Sequence, residues 1–305
     1  MRIVSFLPSA TETLYQLGAG GQIVGVTHEC KFPAQARKKP KVIRPSFDPE
    51  HMTGRQIDSK IVELMRSGKD IYIVDDKVLK KASPDLIVAQ GLCEVCSPFT
   101  KEISRAVSVL GGRPDVLVLD PHDLDDILVS IMDVAEKVGR VREGRRLVAS
   151  LQKRIDVVRN MKIITKSRPR VLCIEWLDPL FTAGHWVPQM VEYAGGINGI
   201  SVAGEPSRRM EIDEAVQFNP DIIVLMPCGF EIPRTLKELP ALARNEKWKS
   251  LRAVKSNNVY AVNANAYFSK PGPRTVVGLE ILAKILHPEA SRHIRVPKGS
   301  YLKIS

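Results

Sequence analysis

Two distant stretches of this chain spell the same local instruction. Ala82-Ser83-Pro84-Asp85-Leu86-Ile87-Val88 and Phe218-Asn219-Pro220-Asp221-Ile222-Ile223-Val224 each end a short helix at a Pro-Asp turn that feeds a continuous apolar strand. A strand apolar on both faces belongs in a parallel sheet with helices packed on either side. Earlier in each half lies a matching first strand, Arg2-Ile3-Val4-Ser5-Phe6 and Arg170-Val171-Leu172-Cys173-Ile174. Each is followed by a helix stopped by glycines, at 18–21 and at Gly195-Gly196. The echoes do not share one offset, because the first half is longer across 28–70. Two α/β lobes built to one plan are expected.

Residues 120–162 join the halves. Asp120 caps and Pro121 suits the first turn of a helix carrying Leu124, Ile127, Leu128, Ile131, Val134, Ala135 and Val138 at helical period. Gly139-Arg140 breaks it. A second pattern through Leu147, Val148, Leu151, Ile155 and Val158 predicts a helix of about 20 residues, roughly 30 Å long at 1.5 Å per residue. Such a helix is a rigid strut rather than a flexible linker. The organisation expected is a lobe over 1–140, a connecting helix over 141–167 and a second lobe over 168–305.

In order, strands are expected at 3–7 (stopped by Pro8), 23–27, near Val42, and at 71–74, 86–89 and 116–119. Helices are expected at 11–17, around Ile57, Ile61, Leu64 and Met65, and at 77–82 and 100–110. In the second half come a strand at 170–174, a helix at 188–194, strands at 222–224 and 259–262, and a helix at 273–286. The basic tail from Glu289 reads as irregular.

Charge and termini narrow the function. The net charge of +11 is spread over many helical faces, with no RNA-binding or helix-turn-helix signature, so nucleic acid is not the expected partner. No apolar run reaches the ~20 residues of a membrane helix. The chain enters its first strand immediately after Met1-Arg2, without the basic and apolar regions of a secretory leader, which points to the cytoplasm; a removed leader would place it outside. Five cysteines do not suggest a disulfide framework.

In parallel α/β sheets, ligands meet the loops at the carboxyl ends of the strands. Those loops hold Ser9 and Thr11, then His28, Glu29 and Cys30, then Gln90 followed by Cys93-Glu94-Val95-Cys96. In the second half they hold Trp176, Phe181, His185 and Trp186, the segment Pro227-Cys228-Gly229-Phe230, and Tyr267, Phe268, Lys270 and Arg274. Cys93-x-x-Cys96 reads as a metal half-site with Cys30, as a redox pair, or as small residues shaping a loop. His185-Trp186 is an axial ligand beside a stacking ring, or a helix-capping pair; Gly184 before it lets the backbone approach something closely. Trp176 and Phe181 are core or a flat apolar wall. There is no G-x-S-x-G elbow, Walker A loop, H-E-x-x-H or dinucleotide fingerprint, so no catalytic residue is assigned.

Taken together, 2–12 (Arg-Ile-Val-Ser-Phe-Leu-Pro-Ser-Ala-Thr-Glu), Val24-Gly25-Val26, Ser83-Pro84-Asp85, Gly195-Gly196, Asn219-Pro220-Asp221 and Pro273-Arg274 resemble the substrate-binding proteins of cobalamin and iron-chelate ABC transporters, over residues 1 to about 287. The blocks 91–96 and 183–188 resemble the cobalamin-binding members most. The resemblance implies a class III periplasmic-binding-protein-like fold: two Rossmann-like α/β lobes joined by one long backbone helix, with ligand clamped between them. It implies non-catalytic binding of a corrinoid such as cobalamin, of an iron chelate or of haem, by a monomer whose partner is an ABC transporter permease. The ligand contacts expected are Ser9, Thr11, His28, Glu29, Gln90, Trp176, Phe181, His185, Trp186, Tyr267, Phe268, Lys270 and Arg274. Some positions that carry corrin-framing aromatics in the family hold Glu29, Gln90 and Arg208 here. The two transporter-docking positions hold Lys77 and Asp213, where the family has two acids. The alternative is a metal-dependent enzyme, or a metal- or haem-binding protein, using Cys93, Cys96, Cys30 and His185.

Were the chain cytosolic, its thiols would be kept reduced. Thiol counting without denaturant is therefore expected to find Cys93 and Cys96 free and reachable; a stable disulfide between them would argue for export.

Overall fold

In the computed structural model the described residues are 1–91, 100–112, 114–161 and 167–304. They form two compact units, one of 1–121 with 125–150 and one of 122–124 with 151–305. The first contains strands β1 (Ile3–Ser5), β2 (Ile23–Thr27), β3 (Lys41–Pro45), β4 (Tyr72–Val74), β5 (Leu86–Gln90) and β6 (Asp115–Leu119). Helices α1 (Pro8–Gln16), α2 (Gly54–Arg66), α3 (Asp76–Ala82), α4 (Thr100–Val109) and α5 (Leu124–Lys137) alternate with them or follow. Helix α6 (Val141–Met161) is counted with both units, the division falling after Ser150. The second unit continues through β7 (Val171–Leu177), β8 (Leu180–Thr182), α7 (Trp186–Tyr193), α8 (Ile212–Phe218) and β9 (Ile222–Leu225). It ends with α9 (Ile232–Ala243), α10 (Glu246–Ser250), α11 (Arg252–Lys255), β10 (Val259–Val262), α12 (Ala264–Tyr267), α13 (Thr275–Leu286) and β11 (Tyr301–Ile304).

The first sheet runs β4-β3-β2-β1-β5-β6, parallel except for β4 at its edge. Its strands serve two cores at once. Ile3, Leu86 and Val88 pack into one cluster with Leu14 of α1 and Leu17 just after it, whereas Val4, Ile87 and Ala89 pack into another with Leu79 of α3. Alternate side chains leave a strand on opposite faces, so an all-apolar strand fills both. The second sheet runs β11-β10-β9-β7-β8, with β7, β9 and β10 parallel and both edges antiparallel. Leu172, Ile174, Ile223 and Leu225 face a core closed by Leu242 of α9 and Trp248 of α10. Helix α13 is buried apart from Val277 and Lys284, and its Glu280 carboxylate accepts from Nε and Nη2 of Arg154, at 2.8 and 2.7 Å.

The sequence echo is a hydrogen-bonding device used twice. Ser83 and Asn219 end α3 and α8 in the left-handed conformation, with φ of 39° and 47°. The aspartate two residues on turns back to the arginine before the first strand of its sheet. Arg2 N donates to Asp85 Oδ2 at 2.7 Å and Arg170 N to Asp221 Oδ2 at 2.9 Å. The return bonds, Asp85 N to Arg2 O and Asp221 N to Arg170 O, are 2.8 Å each. This sets the register Ile3↔Leu86 in one sheet and Val171↔Ile222 in the other.

Several expectations change. Pro8 does not merely stop a strand but opens α1, because its missing N–H and fixed φ suit the first helical turn. Asp120 and Pro121 lie ahead of α5, whose first turn carries Asp125 and Asp126 instead. β7 runs on past Ile174 and turns into the hairpin partner β8, pairing Trp176 with Phe181. Helices α9, α10 and α11 fill 232–255, a stretch to which the sequence reading assigns nothing. The tail is not wholly irregular: β11 adds to β10 with Val259 opposite Ile304, a short edge strand too brief to show periodicity. Along α6, Leu147 packs on the first unit's core while Leu151, Ile155, Val158 and Met161 are buried in the second, the i, i+4, i+7 stripe expected of a helix.

Burial alone would raise the Asp221 carboxyl, but the Arg170 amide and the Arg252 and Arg170 guanidiniums outweigh it and hold it below the ordinary aspartate range. A folded-state value below the unfolded one stabilises fully above the unfolded pKa of about 3.9, and that stabilisation is lost as pH falls through the folded value. Asp221→Asn is expected to melt lower than the parent at pH 7 and to lose less stability between pH 5 and pH 2, read by thermal denaturation across that range.

Candidate ligand-binding site

The carboxyl edge of the second sheet gathers more of the expected residues than any other place described. Trp176 ends β7 and Phe181 begins its return in β8, both half-buried. The Trp176 ring lies 5.1 Å from that of Phe230, tilted by 54°. Guanidinium groups cover the outer rings: Arg234 sits 4.9 Å from the Phe230 centroid and Arg209 5.5 Å from that of Phe181. Each such contact contributes about 0.5–1 kcal/mol at an exposed site. The loops after β9 and β10 are laced together, Gly229 N donating to Ser269 Oγ at 3.0 Å and Asn265 N to Phe230 O at 2.9 Å. Lys270 Nζ donates to Asn265 Oδ1 at 2.5 Å, and Tyr267 closes α12. Arg274 caps α13 and is half-buried.

His185 is the N-cap of α7, with φ 53° and ψ −117° and only 9% of its surface exposed. Its backbone is gripped by the 204–205 segment: His185 N donates to Glu205 O at 2.6 Å and Gly204 N to His185 O at 3.0 Å. Its ring stacks on Trp186 at 5.6 Å. Gly184 does admit a close approach, but by this unit's own backbone. A Cβ there would stand 2.2 Å from Ser207 N and 2.5 Å from the Pro206 carbonyl carbon.

Other expected residues lie inside. Trp186 is 5% exposed and its indole N–H donates to Phe268 O at 2.9 Å; Phe268 is itself 3% exposed. Both rings are buried in this structure.

In the first unit, Ser9 and Thr11 sit in the buried first turn of α1 because that helix starts at Pro8. The Thr11 hydroxyl lies 3.2 Å from Leu7 O and 3.1 Å from Cys30 Sγ, and Thr27 Oγ1 lies 3.4 Å from the same sulfur. Cys30 is wholly buried; desolvation outweighs those hydroxyl bonds and pushes its thiol up. Cys30 therefore packs within the first unit's core, with its thiol between two threonine hydroxyls. Cys93 and Cys96 lie outside the described residues, and no group of three His, Cys, Asp or Glu among the described residues is placed to hold a metal. Gln90 ends β5 and is buried, while His28 and Glu29 remain half-exposed, 3.8 Å apart. Arg208 is bound by both carboxylate oxygens of Glu214 at 3.2 and 2.6 Å. Lys77 is exposed in α3, and the exposed Asp213 of α8 pairs with Lys247 at 2.7 Å.

Sequence reasoning marks the loop carrying Phe230 without selecting the residue, and it misses Arg209 and Arg234. Their roles come from what they face across the fold, which no local spacing encodes.

Two sheets of this topology, flanked by helices, give the two-lobed α/β fold of the class III periplasmic binding proteins. The chain belongs to the periplasmic binding protein family, which matches residues 3–266; its relatives are substrate-binding transport proteins, not enzymes. It is 26% identical over 294 residues, 94% of this chain and 80% of the other, to the uncharacterized ABC transporter substrate-binding lipoprotein YvrC of Bacillus subtilis. It is 22% identical over 286 residues, 92% of this chain and 86% of the other, to the vitamin B12-binding protein of Vibrio cholerae. In fold it is similar to a periplasmic heme binding protein from Pseudomonas aeruginosa, with a TM-score of 0.74 and 16% identity, covering 100% of this chain and 98% of that one.

Trp186→Phe keeps an aromatic side chain, though a smaller one, and leaves the buried Phe268 carbonyl without its donor. A loss of about 1–3 kcal/mol is expected in denaturant melts; a variant as stable as the parent would show that the indole is not a tether.

Proposed function

We propose that this chain captures a metal tetrapyrrole, a corrinoid or haem, or a related iron chelate, for delivery to an ABC transporter permease, and that it works outside the cytoplasmic membrane. The observation that carries the reading is the half-buried aromatic array of Trp176, Phe181 and Phe230 with Arg209 and Arg234 on its outer rings. A planar macrocycle needs apolar contact for its faces and polar partners for its rim. The array supplies the first; Lys270, Arg274, Arg209 and the Tyr267 hydroxyl supply the second. Support comes also from the relatives, among them a vitamin B12-binding protein, and from the likeness to a heme-binding one. His185 is assigned to the ligand's metal, since neutral imidazole binds cobalt or iron. No helix among the described residues is long and apolar enough to cross a membrane.

Absorbance titration with cobinamide, cobalamin and haemin tests this. Saturable binding of at least one is expected. Trp176→Ala is expected to weaken it by about 2 kcal/mol, roughly thirtyfold, as for a central aromatic anchor. His185→Ala is expected to weaken binding and to shift the bound ligand's visible spectrum. Failure of all three ligands to bind, or variants indistinguishable from the parent, would remove the assignment.

A further inference from the structure

Between Cys30 and Phe47 the chain carries Lys31, Arg37, Lys38, Lys39, Lys41 and Arg44 and no acid. The fold of the first unit gathers most of them on the connection from β2 to β3, which passes through a 3₁₀ helix over Ala34–Lys38. Such a helix has three residues per turn, so burying Ala36 leaves Arg37 and Lys38 exposed. The connection is fastened along its length. Ala36 N donates to Pro33 O and Val26 N to Pro40 O, both at 2.9 Å. Arg37 Nε donates to Lys31 O at 2.9 Å and Lys41 Nζ to Ala36 O at 3.2 Å. Its two ends meet: burial pushes the Lys41 ammonium down, and the charge of Lys31 adds to that.

The cations are therefore crowded and held in place rather than scattered. No carboxylate among the described residues is ion-paired with Lys31, Arg37, Lys38 or Lys39. Glu29, the acid nearest in sequence, lies 3.8 Å from His28. Phe32, next to Lys31, keeps 44% of its surface exposed. An anionic partner is the charge complement of such a face, and an exposed aromatic beside the cations suits a lipid boundary. Single-stranded nucleic acid is held by successive aromatics that stack its bases. Between Lys31 and Arg44 there is one, Phe32.

We propose that the 31–39 face docks this chain on an anionic phospholipid surface, with Lys31, Arg37, Lys38 and Lys39 against headgroup phosphates and Phe32 at the acyl boundary. Each cation held near such a leaflet strengthens attachment about fivefold, or about 1 kcal/mol. A chain held there reaches a permease by diffusion in the plane of the membrane. That consequence, but not the docking itself, rests on the function proposed above.

The test is co-sedimentation of the full chain, without tetrapyrrole, with vesicles of phosphatidylcholine alone or with roughly one-third phosphatidylglycerol. Binding to the mixed vesicles alone is expected at low salt, with release at about 0.5 M salt, where the field is screened. Lys31→Gln/Lys38→Gln/Lys39→Gln is expected to weaken it roughly a hundredfold. These side chains donate no hydrogen bond among the described residues, so the variant keeps the fold. Arg142→Gln/Arg145→Gln/Lys153→Gln, which removes the same charge from the exposed face of α6, is expected to weaken it by less than about tenfold. A Phe32→Trp chain is expected to be quenched by brominated acyl chains more than the parent. Absence of vesicle binding, equal effects of the two triple variants, or an unquenched Phe32→Trp chain overturns the proposal. So does anisotropy showing that labelled single-stranded DNA, and not vesicles, binds in a manner that the 31–39 variant abolishes.

Discussion

Both lobes depend on one backbone exchange, an aspartate after a Pro turn bonded to the arginine that precedes the first strand. The Asp85 and Asp221 side chains each accept an arginine amide, and their own amides return the bond. The exchange joins the start of β1 to that of β5, and the start of β7 to that of β9. A parallel pair cannot be aligned by a tight hairpin and needs another device to set its register. In a sheet buried on both faces, a slip of one residue would send every side chain to the wrong core. The arginine side chains add to the lock, Arg2 reaching the carbonyls of Ala82 and Ser83 and Arg170 the Asp221 carboxylate.

Register matters for function because it decides what stands at the carboxyl edge. In the second lobe, β7 outlasts β9 and folds back as β8, so Trp176 and Phe181 stand together beyond the last parallel pair. The loop after β9 then delivers Phe230 to the Trp176 ring, fastened by Asn265 and Ser269. The first lobe lacks this hairpin. Its opening strand is followed directly by α1, which turns Ser9 and Thr11 inward.

The same logic separates supporting residues from contact residues. Trp186, Phe268 and Cys30 have side chains suited to a ligand site, yet each is buried. Ligand contact needs exposure as well as chemistry, and exposure is a property of packing rather than of residue type. His185 occupies the middle ground, nearly covered but at the surface of a helix start, with its backbone held by a loop and its ring between Trp186 and His122.

The sequence by itself determined the repeated α/β plan, the helices after the first sheet and most strand positions, because periodicity, Pro-Asp turns and glycine stops are local signals. It also marked the strand-end loops and the family likeness. It did not determine that Pro8 starts a helix, that β7 doubles back, or that the tail returns as β11, since each depends on a partner distant along the chain. Gly184 shows the divide well. Its need to admit a close neighbour was legible, but that the neighbour is the chain's own 205–207 backbone was decided by tertiary structure. The pairing of arginines with aromatic rings likewise arises only when the folded chain brings separate segments to one surface.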